Sequence, residues 1–137
     1  MNAVFVDSSY YIALLNGDDE LHEAAVQVTA ALSSRFVTTA WVLTEVADAF
    51  SRPIFRRLAV DFIRELQRDT RITIVPPTEE LFERALDLFS QRPDKHWSLT
   101  DCVSFVVMQD HGLTEALSAD QHFQQAGFRA LMLQQRT

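Results

Sequence analysis

The chain has 137 residues, 47% of them hydrophobic and ten of them Phe, enough to build one substantial core. Its formal net charge is −7 and Lys95 is its only lysine, which excludes a binder that relies on a broadly basic surface. No run reaches the roughly 18–20 apolar residues of a membrane span, the start lacks the basic region of a secretory leader, and the single Cys102 allows no internal disulfide, so one domain over 1–137 in a reducing cytoplasm, with no membrane association, is expected.

In chain order, Asn2–Val6 reads as a short buried strand. Ser8–Leu15 reads as a helix closed by Asn16-Gly17. Leu21–Leu32 is helical, because Leu21, Ala24, Ala25, Val28 and Leu32 follow the 3–4 spacing of one face. Arg35–Thr38 is a strand and Ala40–Phe50 a helix. Pro53 stands at the start of the next helix, Ile54–Arg68. Ile72–Val75 is a strand stopped by Pro76-Pro77. Thr78 caps the helix Glu79–Ser90, whose Glu79, Glu80 and Glu83 favour its positive end. Ser98 or Leu99 opens a helix that runs to Gln109 and ends at His111-Gly112. Glu115–Leu117 is a strand, Gln121–Gln125 a short helix and Arg129–Leu133 a last strand.

Strands alternating with helices imply an α/β fold in three layers, α/β/α: a mostly parallel sheet of four to five strands flanked by about seven helices. Ligands of such sheets bind outside the strand carboxyl ends. Four acids meet that condition. Asp7 follows the first strand, and Asp120 comes just after Glu115–Leu117. Glu45 and Asp101 lie in early turns of helices that begin at the same edge. Glu45 shares its helix face with Trp41, Val42 and Ala49, and Asp101 shares its own with Trp97 and Phe105. An acid among apolar neighbours needs a cation, and no Lys or Arg stands at pairing distance on either helix. A hard divalent ion fits, since Mg²⁺ and Mn²⁺ prefer oxygen ligands. The simpler alternatives are helix caps at Asp7 and Asp120 and a dipole partner at Asp101. Glu45 has no such explanation.

These residues sit in four motifs: V-F-V-D-S-S-Y-Y-I-A-L-L-N around Asp7, T-E-V-A-D-A-F around Glu45, W-S-L-T-D-C-V-S-F around Asp101 and L-S-A-D-Q-H-F around Asp120. In that order and at those intervals they resemble the PIN domain, and most of all the VapC-type ribonuclease toxins of prokaryotic toxin–antitoxin pairs. The resemblance implies a PIN-like fold and a Mg²⁺- or Mn²⁺-dependent endoribonuclease. It implies that Asp7, Glu45, Asp101 and Asp120 are catalytic metal ligands, with Ser9 and Ser118 as supporting hydroxyls. It further implies an RNA substrate, a small antitoxin protein that covers the site, and a homodimer.

Arg52, Arg56 and Arg57 open the helix after Glu45 and are candidate RNA contacts. The competing reading is a solvated face paired with Asp61, Glu65 and Asp69. Cys102 has no evident His partner and is not expected to act as a nucleophile. His22, His96, His111 and His122 show no ligand spacing. Trp41, Phe50, Phe55, Phe62, Phe105 and Phe123 read as core, and one of Tyr10 and Tyr11 is expected to face outward into an interface. A receiver domain would need a late-strand lysine, and a dehalogenase-type phosphatase a D-x-D after the first strand. Neither is present, and there is no P-loop or dinucleotide fingerprint. The remaining alternative is a non-catalytic PIN-like module that binds RNA or protein.

Overall fold

The computed structural model describes residues 2–134. Its elements are β1 (Ala3–Val6), α1 (Ser8–Leu15), α2 (His22–Ala31), β2 (Arg35–Thr39), α3 (Ala40–Ala49), α4 (Pro53–Arg68), β3 (Ile72–Val75), α5 (Glu79–Gln91), α6 (Leu99–Asp110), β4 (Glu115–Leu117), α7 (Gln121–Gln125), β5 (Arg129–Ala130) and α8 (Leu131–Gln134). The five strands form one parallel sheet in the order β3-β2-β1-β4-β5. The expected α/β architecture is therefore present, with eight helices among the described residues.

The central strand shows why the sheet needs cover on both faces. Val4, Phe5 and Val6 are all buried, although alternate side chains point to opposite faces. On one side Phe5 lies near Phe123 of α7, whose ring meets Phe105 of α6 edge-on at 5.1 Å. On the other, Val6 lines an apolar cavity with Tyr10, Tyr11 and Phe62 from α1 and α4. Each fully buried aromatic or branched side chain of this kind contributes roughly 1.5–3 kcal/mol.

Local chemistry sets the element ends. The side chains of Thr39, Thr78 and Ser98 accept hydrogen bonds from backbone N–H groups in the first turns of α3, α5 and α6. Gly112, at φ 65°, ends α6 in the left-handed conformation that glycine adopts most easily.

Three expectations fail, the simplest being Phe55, which read as core but is exposed on α4. Arg129–Leu133 is not one strand: pairing stops at Ala130, and Leu131 begins α8. The partner strand β4 has only three residues and runs out at Leu117. The Met132 N–H then bonds to the Ser118 carbonyl instead of extending the ladder. Nor does either tyrosine face outward. Tyr10 hydrogen-bonds with Thr29 of α2, and Tyr11 packs edge-on against Phe62 of α4 at 5.3 Å. Neighbouring helices cover α1 on both flanks, so both rings are buried.

Candidate metal centre

Parallel pairing puts the ends of β1, β2 and β4 at one edge, and the chain turns into α1, α3 and α7 just beyond. Asp7 follows β1 directly, and its N–H bonds to the Leu117 carbonyl of β4. It occupies the N-cap position of α1, yet its side chain makes no capping bond. Instead Asp7 Oδ2 accepts the hydroxyls of Ser9 and Ser118, each at 2.8 Å. Oδ1 accepts no hydrogen bond from the described residues.

The other acids repeat this division. Glu45 Oε1 accepts the Ser8 hydroxyl at 2.8 Å. Asp101 Oδ2 accepts the Ser98 N–H at 3.0 Å, closing a capping box at the start of α6. Asp120 caps α7, with Oδ1 accepting the His122 N–H at 2.9 Å. The capping reading therefore holds for Asp120, and Asp101, read as a dipole partner, also closes a capping box, but each cap engages a single carboxylate oxygen. Every one of the four acids is left with an oxygen that accepts no hydrogen bond from the described residues.

Electrostatics show the cost of this arrangement. Burial pushes the Asp7 carboxyl up to about 6, against the pull of the Ser118 and Ser9 hydrogen bonds. The negative charges of Asp101 and Glu45 add to the rise. Glu45 is also raised, by burial first and then by Asp101, Asp48 and Asp120, while its Ser8 bond opposes the shift. Among the described residues no Lys or Arg pairs with any of the four acids. Such a group of hard oxygen donors, without a Lys or Arg partner among the described residues, suits a divalent cation.

His122 joins the cluster. Its Nδ1 lies 2.9 Å from Asp101 Oδ2 and 3.2 Å from Asp120 Oδ1. Asp101, Asp120 and His122 each offer a ligand atom, all within 4.8 Å of one another. Sequence spacing did not single out this histidine, because its partner Asp101 lies 21 positions away. The usable signal was its place in the first turn of the helix that Asp120 caps. Ser8 was overlooked for a similar reason, since its partner Glu45 lies on another helix.

Cys102 follows Asp101 but is buried, and burial raises its thiol to about 11, which rules out a ready nucleophile. The candidate RNA arginines lie apart from the cluster on α4. Arg57 pairs with Asp61 at 3.2 Å, Arg56 donates to the Ser51 carbonyl, and Arg52 lies over the Phe55 ring. Arg68 pairs with Glu65, whereas Asp69 pairs with Arg71 and not with an α4 arginine.

The fold and its site together define a class of protein: a parallel α/β domain whose polar centre is four carboxylates at the strand carboxyl ends. The chain belongs to the PIN domain family, whose model matches residues 4–129. It is 30% identical over 125 residues, 91% of this chain, to proteins named 23S rRNA-specific endonuclease VapC20 in two strains of Mycobacterium tuberculosis, and the match spans 95% of each relative. The crystal structure of Mycobacterium tuberculosis VapC20, described as a sarcin-ricin loop cleaving toxin, superposes with a TM-score of 0.84 at 29% identity, covering 91% of this chain and 95% of that one. FitAcB from Neisseria gonorrhoeae gives a TM-score of 0.67 at 16% identity over 93% and 94% of the two chains, a likeness of fold.

Proposed function

We propose that this chain is a divalent-metal-dependent endoribonuclease, a hydrolase of RNA phosphodiester bonds and the toxin of a toxin–antitoxin pair. Asp7, Glu45, Asp101 and Asp120 would hold Mg²⁺ or Mn²⁺. One observation carries this reading: four carboxylates converge without a Lys or Arg partner among the described residues, each keeping an oxygen that no hydrogen bond from those residues engages. When bound, a divalent ion supplies Lewis-acid stabilisation of the scissile phosphate and a water of lowered pKa.

The residues of the chain prepare that chemistry. Ser9 and Ser118 fix Asp7 Oδ2 and so aim its other oxygen. Ser98 and His122 do the same for Asp101. Above about pH 6 Asp7 is ionised and competent to bind a cation. No side-chain nucleophile is required.

Arg52, Arg56 and Arg57, exposed at the start of α4, are the proposed contacts to RNA phosphates. A small antitoxin protein is the proposed partner. A homodimer is also proposed; exposed apolar side chains are available for it on α4, at Ile54 and Leu58, and on α5, at Phe82 and Leu86. No helix among the described residues is long and apolar enough to cross a membrane, and a cytoplasmic location is proposed with the toxin role.

The name of the mycobacterial relative makes 23S rRNA the first substrate to test. Pure protein incubated with 23S rRNA or mixed RNA should cut it with Mg²⁺ or Mn²⁺ and not with EDTA. Retention of RNA without cleavage would favour the non-catalytic binding module instead.

A further inference from the structure

The loop before α6 carries a concentration of positive charge that the metal centre does not use. Residues 92–96 read Arg-Pro-Asp-Lys-His in a chain of formal charge −7. Arg92, Pro93, Lys95 and His96 line an open pocket of ≈ 490 Å³ together with Phe89, Ser90, Trp97 and Cys102. That volume suits a nucleotide-sized group. The pocket wall includes Trp97, the residue before Ser98, whose N–H bonds to Asp101, and Cys102, the residue after Asp101.

The charges there are organised. Arg92 is already engaged: its guanidinium pairs with Asp94 at 3.0 Å and lies over the Trp97 ring at 5.1 Å. Trp97 in turn donates to Gln125 of α7 at 3.1 Å, which ties the loop to the helix that carries His122. Lys95 differs. It is half-buried in the pocket, and no carboxylate pairs with its ammonium among the described residues. Its charge reaches the Asp94 carboxylate, but that group is paired with Arg92, so the ammonium can still attract a second anion, and a pocket focuses that attraction. Beside a centre of four acids, such a charge offsets the repulsion that a phosphate strand meets there.

We propose that this pocket is a phosphate subsite for the RNA strand next to the cleaved bond, with Lys95 as the contacting group and the Arg92–Asp94–Trp97 unit as its brace. The inference rests on the endoribonuclease reading and names a substrate-binding residue outside the acidic cluster.

The test is the affinity of a fluorescein-labelled single-stranded RNA, measured by anisotropy across a salt series in the full chain carrying Asp101→Asn, so that binding is read without cleavage. Lys95→Ala should lower the magnitude of the log Kd against log salt slope by about 0.7, the contribution of one phosphate contact on a single strand. Lys95→Arg should restore the slope, and Arg84→Ala, which removes an exposed charge elsewhere, should leave it unchanged. With Asp101 intact, Lys95→Ala should raise KM and leave kcat unaltered. An unchanged slope and KM in Lys95→Ala, or a loss seen only with polyglutamate as the probe, would overturn the proposal. A wild-type chain that binds RNA through Lys95 yet never cuts it would leave this subsite standing and remove the endoribonuclease reading.

Discussion

Ser118 and Asp7, 111 positions apart in sequence, are joined by a 2.8 Å hydrogen bond from the serine hydroxyl to Asp7 Oδ2. Ser118 is fully buried, and its oxygen also accepts the Asp120 N–H at 3.0 Å. One hydroxyl thus sets the positions of two of the four acids. Ser118→Ala should lower Mn²⁺ affinity about 10–100-fold, as loss of a group that orients a metal ligand does. It should also cost about 1–3 kcal/mol of stability through the buried partners it strands. Calorimetric titration with Mn²⁺ and thermal melting read the two effects separately, and an unchanged affinity would show that Ser118 orients nothing.

The raised carboxyl of Asp7 gives a signed dependence on pH. Its value is about 6 in the folded protein against 3.8 for the free side chain. Between those values the folded state keeps a proton that the unfolded chain has released. Stability of the metal-free protein therefore falls as pH rises through that window and levels off above it. The full effect is about 3 kcal/mol. Asp7→Asn removes it, so the metal-free variant should melt several degrees higher than the parent at pH 7.5. The gap should close near pH 4. Added Mn²⁺ should raise the melting point of the parent and not of the variant.

His122 is a positioning residue by geometry, with Nδ1 within 3.2 Å of oxygens from both Asp101 and Asp120. His122→Ala leaves the Ser98 bond to Asp101 and the backbone bond to Asp120 in place. The acids then keep their helices but lose their shared brace. Mn²⁺ affinity should drop about 10-fold or more, while circular dichroism and the metal-free melting curve stay close to the parent. Equal Mn²⁺ affinity in His122→Ala would assign the ring to packing alone.

The α/β frame was legible because hydrophobic periodicity and caps are local signals. Thr78, Ser98 and Gly112 mark element ends in the sequence as they do in the structure. The positions of Asp7 and Asp120 were legible because the ends of β1 and β4 fix where they emerge. What escaped depends on partners far along the chain. The end of β5 is decided by the length of β4, the orientation of Tyr10 and Tyr11 by helices packed on both flanks of α1, and the role of His122 by Asp101 across the cluster. No spacing rule within one element carries that information. The division of each carboxylate into one bonded and one unengaged oxygen is likewise a property of the assembled edge.

The most direct measurement compares RNA cleavage by the parent and by Asp101→Asn, with Mn²⁺ and with EDTA. Asparagine keeps an oxygen to accept the Ser98 N–H, so the capping box and the melting point should persist. The parent should cut only with the ion, and the variant should be at least roughly 100-fold slower, about 2.7 kcal/mol in the barrier. Cleavage by Asp101→Asn at the parent rate, or by the parent in EDTA, would contradict the assignment of the four carboxylates.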